Sequence, residues 1–416
     1  MTAAVAFAPA TRYAIEVSSR PTDTEEALIT ALDHEAAASR AREIASETIA
    51  PGARAHDEAG SFPREAVRRL GQAGLLGLNV PAQAGGAGLG PRTFAEVNAI
   101  LAEADPSVAM IYMMHVCATE VVAAGARETG APPLKAALAE IAAGRHLTTL
   151  AFSEAGSRSH FWAPLSKAQK TPGGVRLNAK KSWVTSAGEA DSYVITTLSA
   201  DAKGPTDSTL YLVPRDTPGM VVAAPWDGLG LRATASSPMT LEAVEVAESQ
   251  RLTGEGAGFK AKLEVVLPWF NLASASVALG ICRAAVSGTI SHLKTSRFEH
   301  LSNVSLGEAL PTLRQTLAQM QIDTDGLAHR IDACAGALES PGPQTMLRVL
   351  EVKAAAGETA LRVTSDAMHA CGGSAFSKHS SIERYFRDAH AGAVMAPTVD
   401  VLRDFIGKAL LGIPLF

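Results

Sequence analysis

The sequence predicts an α+β fold in three parts: an N-terminal α-helical domain over residues 23–146, a middle antiparallel β domain over 147–256 and a C-terminal four-helix bundle over 257–416. Three observations predict it. Apolar residues recur at helical spacing between capping residues through the first third of the chain. From Leu147 to about Val246 the period falls to two, with Gly, Pro, Asp and Asn turns between short segments. From Ala257 onward helical spacing returns in long amphipathic stretches, which imply a bundle.

In chain order, residues 1–22 read as a flexible arm; no basic region precedes their apolar residues, so they are not read as a signal peptide. Thr24-Glu25-Glu26 opens an Ala-rich helix that Pro51-Gly52 is expected to end. Phe62-Pro63-Arg64-Glu65 caps the next, with Val67, Leu70, Ala73 and Leu75 roughly at helical spacing. Helices over 91–104 and 108–124 follow, and a last stretch runs toward Ala143. Strands are expected at 192–197, 209–214 and 239–246, and bundle helices at 257–296, 307–340, 343–371 and 397–411. Pro343 suits a first turn, and Gly372-Gly373 a terminus.

Composition sets bounds on function. The 416 residues are 47% hydrophobic and 19% charged, enough for a large core and two or three domains. A net charge of −5 argues against a nucleic-acid binder, which needs a basic footprint. The four cysteines are scattered without a C-x-x-C pair and read as reduced core thiols of a cytoplasmic protein. No run approaches the ~18 apolar residues of a membrane span. The histidines form no metal-ligand spacing, so no metal is expected.

One stretch, residues 150–188, carries the chemistry: LAFSEAGSRSHFWAPLSKAQKTPGGVRLNAKKSWVTSAG. A strand ends at Phe152, a hairpin turns at Gly173-Gly174, and a second strand delivers Trp183 and Thr185. Ser153, Trp183 and Thr185 then face one cleft. An indole offers a face to a flat heteroaromatic ring and the hydroxyls bond its edge, though composition alone leaves the ring unnamed.

Ser153-Glu154-Ala155-Gly156-Ser157-Arg158-Ser159-His160, followed by Trp183-Val184-Thr185, resembles the flavin-binding pair T-E-P-x-A-G-S-D and W-I-T of the acyl-CoA dehydrogenase family. Ala155, Arg158 and His160 are the main departures. The segments 74–81 and 85–90 are similar to further family motifs, as are Gly228-Leu229-Gly230-Leu231-Arg232 and 254–260. The resemblance spans about residues 25–412 and implies an acyl-CoA dehydrogenase-like fold.

The resemblance also implies a cofactor, FAD ahead of FMN. By it, Phe152, Ser153, Trp183 and Thr185 hold the flavin ring, and Ser159 lies near the cofactor phosphate or substrate. Cys371-Gly372-Gly373-Ser374-Ala375-Phe376, followed by Arg387-Asp388-Ala389, is similar to the family element that approaches a partner subunit's FAD. His369 and Arg297 fall near partner-FAD contacts, and Thr398 near the cofactor phosphate. Sharing a cofactor in this way implies a homodimer or homotetramer.

Typical members of the family remove the substrate's α-proton with a glutamate. Ala396 occupies that position, in Met395-Ala396-Pro397, and Phe270 or a neighbour fills the alternative one. Met114, His160, Phe270, Met395 and Ala396 are the expected substrate contacts. His115 is the candidate base, against the reading of a satisfied core histidine; Glu264 is a more distant option. The expected reaction is a flavin-dependent oxidation of an acyl-CoA or related small molecule, served by an electron acceptor or a flavin reductase. Oxidase or monooxygenase chemistry is placed slightly ahead of α,β-dehydrogenation, and a non-catalytic flavoprotein is the third reading.

Overall fold

The computed structural model describes residues 32–158 and 160–416. The expected arm, the helix start at Thr24-Glu25-Glu26 and Ser159 lie outside them. Helices α1 (His34–Ile44) and α2 (Ala50–Ala59) run on through a π-helical turn at Ala45–Ile49. Pro51-Gly52 therefore does not end this helix, contrary to expectation. Pro51 falls directly after the π turn, inside the run-on helix, and the chain leaves at Gly60 in the left-handed region.

Helices α3 (Arg64–Gln72), α4 (Pro91–Ala104), α5 (Pro106–Thr129) and α6 (Pro132–Ala142) complete the first part. Asp105 caps α5, its side chain accepting from the Ser107 N–H, and Pro106 occupies the first turn. Tyr112 on α5 donates to the Leu75 carbonyl, which ties the segment after α3 to the core.

The middle part holds two sheets. One is ordered β1 (Thr148–Ala151), β4 (Ser192–Leu198), β5 (Ser208–Pro214). The other is ordered β2 (Gln169–Thr171), β3 (Gly174–Val184), β7 (Ser237–Ala247), β6 (Met220–Val222). The expected purely antiparallel domain needs one correction: β1 pairs parallel with β4, Leu150 opposite Val194. The β2–β3 hairpin turns at Gly173-Gly174 as expected.

The last part opens with α7 (Gly258–Ala261), a π turn at Lys262–Val266 and α8 (Leu267–Thr295). A two-residue hairpin, β8 (Arg297–Phe298) and β9 (Val304–Ser305), precedes α9 (Leu306–Ala309) and α10 (Pro311–Glu339). Then come α11 (Thr345–Phe376), α12 (Ile382–Val394) and α13 (Val399–Leu411). Two of the four expected helices start or stop differently. Pro343 lies before α11 rather than in it. Gly372 kinks α11 at φ +52 and ψ −133, after which one more turn forms. Pro397 precedes the last helix, which Thr398 caps by accepting from the Val401 N–H. The helix α12 was not expected at all.

Close packing of small residues joins first and last parts. A Cβ on Gly280 of α8 would stand 2.4 Å from the Ala99 carbonyl of α4, so only glycine permits that crossing. A charge knot joins all three parts. Arg387 of α12 reaches Asp57 of α2 at 2.6 and 3.1 Å and the Leu229 carbonyl at 3.0 Å, while Arg232 donates to the Asp57 carbonyl at 2.9 Å.

The four cysteines are free and buried. The expectation about apolar runs is corrected: Pro106–Thr129 and Gly258–Thr295 are long and apolar enough to cross a membrane. In each, 83% of the apolar window is buried inside the protein, as in core helices.

Candidate active site

A cleft of about 810 Å³ opens between the β sheets and helices α5, α8 and α12. Its β wall carries Phe152, Ser153, Ser182, Trp183, Thr185 and Ser236. Its helical wall carries Met114, Phe270, Met395 and Ala396, with Thr398 at the N-terminus of α13. Of ten residues named from sequence for this region, nine line it: Phe152, Ser153, Trp183, Thr185, Met114, Phe270, Met395, Ala396 and Thr398. His160 does not.

Trp183 owes its position to a break in register. The β3–β7 pairing shifts between Lys181 and Val184, and Trp183 takes φ +58, which a bulky residue adopts only when the surrounding structure demands it. The indole stands 65% exposed, touched edge-on by Trp226 at 5.7 Å between ring centres. A large apolar ring held open at the cleft, with the Ser153 and Thr185 hydroxyls beside it, fits a flat heteroaromatic ligand such as a flavin.

Behind this wall lies an ion pair that sequence reasoning passed over. Lys181 Nζ donates to Glu154 Oε1 at 2.6 Å and to the Thr196 carbonyl at 2.5 Å. The remaining acceptor sites of Glu154 are taken by the Ser166 hydroxyl at 2.5 Å and by the Leu165 and Ser166 N–H groups at 2.9 and 2.8 Å. Burial pushes the Glu154 carboxyl upward, but Lys181 and these donors outweigh it and hold it below its ordinary value. Burial lowers the Lys181 amine, with Glu154 opposing. The signal was in the alternation of β3: Lys181 falls on the same inward face as Val175, Leu177 and Ala179.

A second buried amine backs the helical wall. Lys353 of α11 donates to the carbonyls of Pro397, Met395 and Gly392 at 2.7, 3.0 and 3.4 Å, and burial lowers it from 10.5 to about 7. It pins the segment that carries Ala396. A third, Lys262, donates to the Trp162 carbonyl and the Ser208 hydroxyl; burial, then Lys181, holds it well below its ordinary value.

Three expectations are corrected. His115 is not placed to act as a base. It is fully buried, its Nε2 bonds the Leu76 carbonyl at 2.9 Å, and its Nδ1 accepts the Thr148 N–H at 3.1 Å. Both ring nitrogens are therefore committed to backbone, and burial lowers its pKa to about 4. His160 is exposed and stacks on Trp162 at 4.8 Å, while its neighbour Phe161 lines the cleft. Glu264 is exposed, near Lys260 at 3.9 Å, and does not face the cleft.

The remaining expectations concern surfaces away from this cleft. Arg297 is exposed and donates to the Asn303 carbonyl within its own hairpin at 2.8 Å. His369 is exposed on α11. A Cβ on Gly372 or Gly373 would meet nothing within 4 Å, so that turn offers open backbone.

The arrangement defines a class: a ring-binding cleft at the junction of a β domain with helices on both sides in sequence. Comparison with known proteins names it. Models of the acyl-CoA dehydrogenase N-terminal, middle and C-terminal domains match residues 32–139, 149–244 and 256–411. The chain belongs to the acyl-CoA dehydrogenase family, whose members are flavin-dependent oxidoreductases. It is 28% identical to the cyclohex-1-ene-1-carbonyl-CoA dehydrogenase of Geobacter metallireducens, over 89% of this chain and 96% of that one. It shares its fold with butyryl-CoA dehydrogenase from Megasphaera elsdenii at TM-score 0.84 and 22% identity, over 91% and 98% of the two chains. The FMN-bound TdsC from Paenibacillus sp. A11-2 superposes at TM-score 0.81 with 24% identity, over 91% and 98%.

Proposed function

We propose that this protein is a flavin-dependent oxidase or oxygenase acting on an acyl thioester or related small molecule, with FAD as its cofactor. One observation carries the preference over α,β-dehydrogenation. Among the described residues lining the cleft, Glu154 is the one acid, and Lys181, Ser166 and Leu165 occupy its oxygens. Abstraction of an α-proton needs a base within hydrogen-bond reach of that proton. Ala396 and Phe270 cannot supply one, and His115 is bonded to backbone on both sides.

When bound, the flavin supplies two-electron redox chemistry at a flat ring. The chain's own residues hold that ring: Trp183 offers its face, and Ser153 and Thr185 their hydroxyls. Met114, Phe270 and Met395 keep the opposing space apolar, which protects oxygen chemistry from side reactions with water. The likeness in fold to the FMN-bound TdsC supports only the architecture. Dehydrogenation through another base is the second reading, favoured by the likeness to the Geobacter cyclohex-1-ene-1-carbonyl-CoA dehydrogenase.

We also propose a homodimer or homotetramer. Phe376 is large and exposed just after the open Gly372-Gly373 turn, as a surface covered by another copy would be. The four buried thiols support a reducing, cytoplasmic setting.

The test is a panel of saturated acyl-CoAs offered to flavin-loaded protein, once with an electron acceptor and once with reduced flavin and O₂. Wild type should form 2-enoyl product ~10²–10⁴-fold more slowly than Ala396→Glu. A wild type that forms 2-enoyl-CoA as fast as Ala396→Glu rules the proposal out.

A further inference from the structure

Behind Thr185 a line of hydroxyls runs into the protein. Thr185 Oγ1 lies 3.1 Å from Ser236 Oγ, Ser236 Oγ 2.7 Å from Thr234 Oγ1, and Thr234 Oγ1 2.8 Å from the Leu231 carbonyl oxygen. All three side chains are buried, Thr234 completely. Thr185 and Ser236 line the cleft.

Counting protons fixes the direction of the line. A carbonyl oxygen carries no hydrogen, so Thr234 must donate to Leu231. Each hydroxyl has one proton. Thr234 has then used its own, and Ser236 must donate to Thr234. Ser236 in turn has none left, and Thr185 must donate to Ser236. Thr185 therefore presents only lone pairs to the cleft. The far end of the line is fixed by backbone: Leu231 and Ala235 take φ +50 and +48 on either side of the short 3₁₀ turn that carries Thr234. The Leu231 N–H is held by Asp388 at 2.6 Å, and its carbonyl also accepts from Trp226 Nε1 at 2.9 Å.

We propose that this hydroxyl line makes Thr185 an acceptor-only contact and so biases the cleft toward the reduced form of a bound flavin, with Ser236 as the positioning residue. The inference rests on the flavin reading above and goes beyond it. An oxidised isoalloxazine ring carries one N–H on its edge, at N3, and its other polar edge atoms accept. Two electrons and a proton from an external reductant add an N–H at N5. With the N5 edge of the ring turned toward Thr185, as the resemblance of Trp183-Val184-Thr185 to the family's W-I-T segment implies, an acceptor-only hydroxyl opposes a lone pair on the oxidised ring and is complementary to the new N–H on the reduced one. A site so biased suits a protein that receives its flavin reduced or holds it reduced for O₂.

The experiment is the midpoint potential of the FAD-loaded protein, measured by spectroelectrochemistry for wild type, Ser236→Ala, Ser236→Thr and Thr234→Val. Ser236→Ala releases the Thr185 proton to turn into the cleft. The ratio of affinities for reduced over oxidised FAD should then fall about tenfold, which lowers a two-electron potential by about 30 mV. Thr234→Val breaks the line one link further back and should move the potential the same way, which covers the case of Ser236→Ala failing to retain flavin. Ser236→Thr keeps the hydroxyl and should match wild type, a rescue that a merely structural role would not require. A loaded protein whose potential is unmoved or raised by Ser236→Ala and Thr234→Val overturns the inference alone. Wild type that takes up neither FAD nor FMN overturns the flavin reading and this inference with it.

Discussion

Each wall of the cleft is backed by a fully buried lysine, and the two amines are treated differently. On the β side, Lys181 faces the carboxylate of Glu154 at 2.6 Å. On the helical side, Lys353 is held by three carbonyl oxygens, and burial brings its pKa to about 7. The first wall also carries the indole and the hydroxyls, whereas the second presents Met114, Phe270, Met395 and Ala396. The difference teaches where the site invests its polarity. Charge and hydrogen bonding are fixed behind the ring-binding wall, and the facing wall is shaped by apolar side chains on a backbone segment pinned from the rear.

Titration should separate the two amines most clearly. The folded-state pKa of Lys353, about 7, lies below its ordinary 10.5, so between these values the unfolded chain binds more protons and stability rises with pH. Below about pH 7 both states are charged and the burial penalty is fully present. Wild type should therefore gain on Lys353→Met from neutral to alkaline pH, by on the order of 5 kcal/mol at most. Urea unfolding of both proteins across that range checks it, and a pH-independent difference would break the contrast.

Removing the paired amine should cost nearly as much without needing a pH change. Lys181→Met leaves Glu154 buried and uncompensated, a loss of ~3–5 kcal/mol. The double variant Glu154→Gln with Lys181→Met should lose less than Lys181→Met alone, because no buried charge is left behind. Equal losses in a double-mutant cycle would mean that the pair acts through packing alone.

Smallest of the three is the effect at the surface of the β wall. Trp183→Ala should weaken flavin retention by ~1–3 kcal/mol, the usual worth of a ring stacked on an aromatic side chain. Unchanged cofactor affinity, read by flavin fluorescence on titration, would remove the indole from the site.

The order helical, β, helical was legible because each part has its own hydrophobic period, and the cleft's β wall was legible because Ser153, Trp183 and Thr185 stand in a paired motif. What escaped depended on non-local partners. The β1–β4 pairing joins residues about forty positions apart, and alternation cannot show whether such a pair is parallel. The helix α12 was hidden because it buries Arg384 and Asp388 where an apolar stripe would be sought. His115 looked available because helical spacing places it on an apolar face. Its partners come from the Leu76 carbonyl and the start of β1, which spacing along α5 does not reveal. Lys181 could have been found, since the alternation of β3 turns it inward.

The knot at Arg387 gives the molecule a property that no one of its parts has. Asp57 belongs to the first helices, Leu229 and Arg232 to the β region, and Arg387 to the bundle, yet they share one set of hydrogen bonds. None of the three parts can open there without exposing the same charges. Local fluctuations at this corner are thereby converted into a collective one, and the cleft beside it, which includes Gly230 and Leu231, holds its shape only while all three parts are docked.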